Sequence, residues 1–204
     1  MRLVLATANQ HKAAEIAEML GAGFELVPRP VDVAEVVEDA DTFEGNARLK
    51  AVALAAATGE PALADDSGLQ VDALDGAPGV RSARFAGPDA TDADNVSLLL
   101  ARLSGVPADR RTARFRCSLV VRWSDGREVV GGGTVEGLIV EAPRGESGFG
   151  YDPVFVPSDA SASGRTFAEM TATEKHAISH RGRALAQLLP RLAEPPPPTA
   201  VPDP

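Results

Sequence analysis

The stretch PALADDSGLQVDALDG sets two carboxylates, Asp65 and Asp66, directly after an apolar run from Pro61 to Ala64. Asp, Ser and Gly reverse the backbone at low cost, so the pair reads as a turn at a strand end. The same carboxylates could hold a cation there. In extended backbone neighbouring side chains point to opposite sides. Asp66 is therefore assigned toward the cation and Asp65 a supporting place beside it.

Three further segments carry residues that could work with that pair. TANQHK ends in Lys12 and lies between an apolar run and a helical pattern. Its backbone N–H groups and the positive end of the helix dipole would face an anion. It matches neither GxxxxGK nor GxGxxG. TEKHAISHRGRAL holds Lys175, His176, His180 and Arg181. The histidines have helical HxxxH spacing, but the Glu of HExxH and a third ligand are missing, which disfavours zinc. Lys175, His180 and Arg181 read instead as donors to phosphate or to a base edge. GESGFGYDPVF gathers glycines around Phe149, Tyr151 and Asp152. Such a loop lets backbone approach a flat ligand while a ring stacks on it, and it equally suits a strand-entry turn fixed by Asp152 and Pro153.

Lys50 follows Asn46 by four residues, which puts both on one helix face. The chain's three lysines, its three histidines and its sole tyrosine all fall in these few polar segments. Two carboxylates among scattered cations suit a magnesium-bound polyphosphate, because Mg²⁺ takes one or two carboxylates and leaves other positions to water and phosphate. The acidic stretch VVEDAD could add a ligand.

The elements that must position these groups are legible from periodicity. Leu3 to Ala6 reads as a buried strand, and Ala13, Ile16, Ala17 and Leu20 fall at helical spacing before Gly21. Phe24 to Val27 is a second strand. Asp41 with Glu44 predicts a capping box for a helix whose buried face carries Leu49, Val52, Ala53 and Ala56. Ala62 to Ala64 is a short central strand. Thr91 caps a helix reaching Leu103. TARFRCSLVVRW alternates cleanly as a strand with Cys117 facing inward, and Ser124 to Gly126 turns it into a hairpin with Glu128 to Val130. Gly131 to Gly133 predicts a bulge or bend before the sheet resumes to Val140. Val154 to Val156 is a further strand, and a last helix runs from Thr173 to about Leu189, kinked or ended by Pro190. The pattern predicts an α/β (mixed α+β) fold, a bent mixed sheet flanked by helices. Residues 1–193 are expected to form one domain and the proline-rich residues 194–204 a disordered tail.

At 204 residues with 44% hydrophobic content the chain has ample material for a core. The formal charge of −9 argues against coating nucleic acid or an anionic membrane, so no such partner is expected. No apolar run of membrane-spanning length and no signal-peptide pattern is present, which predicts a cytoplasmic protein. Cys117 is the single cysteine and is assigned no catalytic role.

In order, LATANQHK, TFEGNARLKA, LADDSGLQVDALDGAPGVRSARFAG, GFGYDPVF and TEKHAISHRGRAL closely resemble the inosine triphosphate pyrophosphatase family, over Leu3 to about Leu192. The resemblance implies a Mg²⁺-dependent homodimer that hydrolyses ITP, dITP and XTP to the monophosphate and pyrophosphate, with the active site in a cleft between two lobes. It implies a triphosphate loop at Thr7, Ala8, Asn9, Gln10, His11 and Lys12, with Asn9 and Lys12 the main side-chain donors. Asp66 would be the general base and a metal carboxylate, Glu38 the other metal carboxylate, and Ser67 a substrate contact. Phe149, Gly150, Tyr151, Asp152, Lys175, His180 and Arg181 would form the base pocket. Asn46, Lys50 and Asp65 are additional candidates. Hypoxanthine and xanthine carry a 6-keto acceptor where adenine carries an amino donor, so donors aimed at that edge would reject ATP. Gly45 stands where many members have an acid, which weakens a metal role there. The rival readings are a Maf-like pyrophosphatase for other modified nucleotides and a catalytically silent nucleotide-binding protein.

Overall fold

The computed structural model describes residues 1–7 and 9–193. Ala8 and residues 194–204 lie outside the described residues, and so do the expectations of a substrate contact at Ala8 and of a disordered tail. The elements are β1 (Arg2–Leu5), α1 (Gln10–Leu20), β2 (Glu25–Pro28), α2 (Phe43–Thr58), β3 (Ala62–Val71), α3 (Asp92–Arg102), β4 (Thr112–Arg122), β5 (Glu128–Ile139), β6 (Phe155–Pro157), α4 (Ala172–Ile178) and α5 (His180–Ala193). The strands make one six-stranded sheet in the order β2-β1-β3-β4-β5-β6. The helical crossovers leave β1 parallel to β2 and β3, and the remaining pairs are antiparallel, giving the expected mixed sheet.

β3 corrects the reading of the Asp pair as a turn. Its ladder to β4 runs unbroken from Ala62 opposite Arg122 to Val71 opposite Ala113, so Asp65, Asp66, Ser67 and Gly68 are strand residues. The long alternating β4 demands a partner of equal length, because a turn there would strand buried N–H and C=O groups. Gly68 is required for a different reason than turning: the 3₁₀ segment Gly79–Arg84 lies on it, and a Cβ would collide with Ser82 Oγ.

The sheet feeds three cores. On one face Leu3, Leu63, Leu119 and Val121 meet Ile16 of α1 and Leu185 and Leu188 of α5. On the other, Val4, Ala62, Ala64 and Val120 meet Ala47, Ala51 and Leu54 of α2. Beyond Gly68, Leu69, Val71, Phe115 and Val135 join a third core with Leu99 of α3, Phe155 and Phe167. Asp65 to Gly68 therefore lie where β3 passes from one body of packing to the next.

Several elements differ from the sequence reading in instructive ways. On α2 the buried face is Asn46, Ala47, Ala51, Leu54 and Ala55, while Leu49 and Val52 are 38% and 40% exposed. Small alanines let the helix lie close to the sheet, and the face is fixed by the need to bury Asn46. Thr42, not Asp41, caps that helix, accepting from Gly45 N at 3.0 Å. Val154 belongs to a 3₁₀ turn, so β6 starts at Phe155. The expected single last helix is two, broken at Ser179, whose ψ of 158° is extended. α5 then continues through Pro190, whose missing N–H costs one bond near the end, while Arg191 Nη1 donates to Val130 O at 2.6 Å and fixes that turn.

No bulge occurs at Gly131 to Gly133, which pair in register with Leu119 to Cys117. The glycines clear space for α5: a Cβ on Gly131 would fall 2.5 Å from Ala184 O, and one on Gly133 would collide with the His180 carbonyl. Gly133→Ala is expected to lower unfolding stability in urea by about 1–3 kcal/mol. Gly132→Ala, whose Cβ would meet nothing nearer than 3.7 Å, should stay within about 0.5 kcal/mol of the parent.

Candidate active site

α1 starts at a cap: Asn9 Oδ1 accepts from Lys12 N at 3.1 Å, and Thr7 Oγ1 accepts from Asn9 N at 3.2 Å. This folds the loop after β1 so that the Lys12 side chain turns back over β3. Lys12 Nζ meets Asp65 Oδ1 at 2.7 Å. Arg181, the second residue of α5, donates from Nε to Asp65 Oδ2 at 3.2 Å, from Nη2 to Ser67 Oγ at 2.9 Å and from Nη1 to Glu15. Lys175 Nζ donates to Glu15 Oε1 and to Asp152 Oδ2, each at 2.6 Å. Lys12, Asp65, Arg181, Glu15, Lys175 and Asp152 thus form a chain of alternating charge, its cations and Asp152 reaching the cleft.

That alternation sets the ionisation of each member. Burial alone would push Asp65 up, but Lys12 and Arg181 hold its carboxyl far below the usual carboxylate range. Glu15 is likewise kept low by Arg181 and Lys175 against the cost of burial. For Asp152 burial prevails over Lys175 and the carboxyl is pushed up. Cys117 Sγ donates to Asp65 Oδ2 at 3.1 Å, and burial beside that carboxylate pushes the thiol well up, which fits its assignment as an unreactive strand residue.

Asp66 points the other way. Its Oδ2 accepts from Asn46 Nδ2 at 3.1 Å, and Lys50 Nζ lies 3.7 Å from Oδ1 while donating to Glu38 Oε1 at 2.9 Å and to the Asp65 carbonyl at 2.6 Å. Asn46 and Lys50, one turn apart on α2, therefore reach the same carboxylate. Burial raises the Asp66 carboxyl above the ordinary aspartate value, Lys50 and Lys12 opposing and Glu38 and Asp65 adding to the rise. The Glu38 and Asp66 carboxylates converge on one ammonium from separate elements. Among the described residues no group of three or more His, Cys, Asp or Glu stands ready to hold a metal alone. A pair of hard oxygen donors suits a divalent cation completed by water and phosphate oxygens, and does not suit zinc.

The opposite wall is the loop before β6. Gly148 and Gly150 have φ of +77° and +61°, which folds the loop so that Asp152 Oδ2 accepts from Phe149 N at 3.0 Å. Tyr151 donates its O–H to Ser82 O at 2.9 Å, and Asp92 accepts from Gly150 N at 2.7 Å. Lys175 Nζ sits 4.9 Å from the Phe149 ring centroid. The His180 ring stacks on Phe115 at 4.7 Å, and burial with Arg181 and Lys175 nearby holds it well below its ordinary pKa. Its Nδ1 is buried with no hydrogen-bond partner among the described residues. The break at Ser179 puts His176 and His180 on different helices, so they do not share the single helix that HxxxH spacing assumes.

Between these walls lies a cleft of about 290 Å³, reached by Thr7, Asn9, Lys12, Glu38, Lys50, Asp66 and Ser67 on one side and by Phe149 to Asp152, Lys175, His180 and Arg181 on the other. Residues 3–191 match the family model described as Ham1 family. The chain belongs to the Ham1 family. A dITP/XTP pyrophosphatase from Symbiobacterium thermophilum is 55% identical over 192 residues, 94% of this chain and 94% of its own. One from Desulforamulus reducens is 50% identical over 93% of this chain and 94% of its own. Among solved structures, a HAM1 protein from Coxiella burnetii matches with a TM-score of 0.85 at 42% identity, covering 96% of this chain and 100% of that one. A nucleoside-triphosphatase / dITP/XTP pyrophosphatase from Mycobacterium abscessus matches with a TM-score of 0.75 at 47% identity, covering 93% and 100%.

Within this Ham1 fold the candidates divide by position. Asn46 and Asp65 stand behind the cleft wall and hold Asp66, Lys12 and Arg181 in place. Gln10 and His11 do not line the cleft: both are exposed, and His11 stacks on Phe149 with ring centroids 5.3 Å apart. The helix start turns these two side chains outward while Lys12 turns in. Glu15 was not among the sequence candidates, although an acid one turn after Lys12 on the same helix was the available signal. Arg29 and Asp92 also reach the cleft and carried no motif, and Arg84 reaches it from the stretch GVRSARFAG, where no role is assigned to it.

Proposed function

We propose that the chain hydrolyses ITP, dITP and XTP to the monophosphate and pyrophosphate. The observation that carries this reading is the meeting of Glu38 and Asp66 at Lys50, in a cleft whose far wall presents Lys175 and Arg181 beside Phe149. The names of the relatives above support the same substrate class. Glu38 and Asp66 would hold Mg²⁺. Bound there, the ion would acidify water and screen phosphate charge. Asp66, with its raised carboxyl, accepts the proton of the water attacking the α-phosphorus. Lys12 and Lys50 stabilise the charge that develops on the departing pyrophosphate. Lys175 and Arg181 donate to the 6-keto edge of the base over Phe149, with Ser67 and His180 as further contacts. An adenine amino group would meet donors there and be rejected.

The same reading takes residues 1–193 as one two-lobed domain, acting as a homodimer in the cytoplasm. Among the described residues no helix is long and apolar enough to cross a membrane. A Maf-like activity is disfavoured by the Ham1 match across residues 3–191. The test is pyrophosphate release from ITP, XTP, dITP, ATP and GTP with and without Mg²⁺. Fast release from the first three, slow release from ATP and no turnover without the metal are expected. Orthophosphate as first product, or equal rates on ATP and ITP, would overturn the proposal, and binding without turnover would favour the silent-protein reading.

A further inference from the structure

The cations deep in the cleft are already paired. Lys12, Lys50, Lys175 and Arg181 face five carboxylates, Asp65, Asp66, Glu38, Glu15 and Asp152, so the interior holds no positive surplus for a triphosphate. Arg29 differs. It also lines the cleft and pairs at 3.2 Å with Glu35, whose side chain is 68% exposed, whereas Arg84 at the same cleft donates to the Glu38 carbonyl. An exposed pair of that kind is worth little and is readily exchanged for a phosphate.

Its place in the fold says which phosphate. Leu5 pairs with Pro28 in the parallel β1–β2 ladder, so Arg29 emerges beside Ala6 at the carboxyl ends of the strands, next to the Thr7–Lys12 loop. Ligands of open α/β sheets bind at such ends. The sheet order runs β2, β1, β3, β4, β5. Groups at the cleft follow that order: Arg29 after β2, the Lys12 loop after β1, and Asp66 on β3. Arg181, on α5 above β4 and β5, comes last beside the base-stacking Phe149. Two strand spacings, about 10 Å, separate β2 from the Asp66 strand. An extended arginine spans much of that gap, and the α-phosphorus must lie at Asp66 for its attacking water.

We propose that Arg29 is a ligand for the outer phosphates of the substrate, the part that leaves as pyrophosphate. This rests on the triphosphate reading above. Pyrophosphate release by the parent from ITP tests that reading, and product inhibition in variants tests this one. Arg29→Gln should raise the inhibition constant of pyrophosphate about tenfold and lower kcat/KM for ITP by a similar factor, with inhibition by inosine monophosphate unchanged. Glu35→Gln, which releases Arg29, should strengthen pyrophosphate inhibition. Unchanged pyrophosphate inhibition in Arg29→Gln would overturn the assignment. So would equal weakening of both products, which would mean the variant disturbs the cleft as a whole.

Discussion

Asp66→Asn should lower pyrophosphate release from ITP by about 10²–10⁴-fold, the range typical of losing a positioned general base. The side chains are nearly the same size, and an amide oxygen can still accept from Asn46 Nδ2, so the strand and its neighbours should stay in place. What disappears is the proton acceptor and half of the carboxylate pair at Lys50. Lys50 keeps Glu38 and the Asp65 carbonyl as partners, which limits any structural effect. Urea unfolding within about 1 kcal/mol of the parent, together with the lost rate, separates chemistry from folding. Parental activity in this variant would remove Asp66 from its role.

Arg181→Met should cost about 3–5 kcal/mol of stability, because it leaves three buried carboxylates, Asp65, Glu15 and Asp152, to two lysines. The Arg181 side chain is 1% exposed and ties together Asp65, Glu15 and Ser67. Its removal leaves Asp65 with Lys12 alone and Glu15 with Lys175 alone. Arg181→Lys should recover only part of the loss, since one ammonium cannot reproduce the planar fork. The pH dependence carries a sign that checks the cause. Glu15 has a folded-state pKa below its ordinary value of 4.5, so the stabilisation it draws from Arg181 is present above 4.5 and fades as pH falls through the depressed value. The gap between parent and variant in urea midpoint should therefore narrow below pH 4.5. A constant gap would assign the loss to packing.

Sequence patterns gave the alternation of β4, the Thr91 helix cap and the clustering of all three lysines at one site, because each depends on local spacing or on residue scarcity. The separation of Asp65 from Asp66 was legible from strand geometry alone. The turn assigned to them was not, since Asp, Ser and Gly have the same composition in a turn and in a strand that must match a long neighbour. The buried face of α2 was misread because its alanines carry less hydrophobic weight than Leu49 and Val52, while a buried Asn46 hydrogen bond and close helix–sheet approach decide the face. Glu15 was invisible because its role depends on Lys175 and Arg181, 160 and 166 residues away.

The Gly131–Gly133 clearance has a consequence for how this enzyme would lose fidelity. α5 rests on those residues and carries His180 and Arg181 at its start. A methyl group added at Gly131 or Gly133 would press on the helix and, on the proposed reading, draw the guanidinium back from the purine edge. On the proposed reading, discrimination between purines would depend on a contact that no nucleotide touches, and variants with relaxed base choice would arise at Gly131 and Gly133 as well as in the pocket itself.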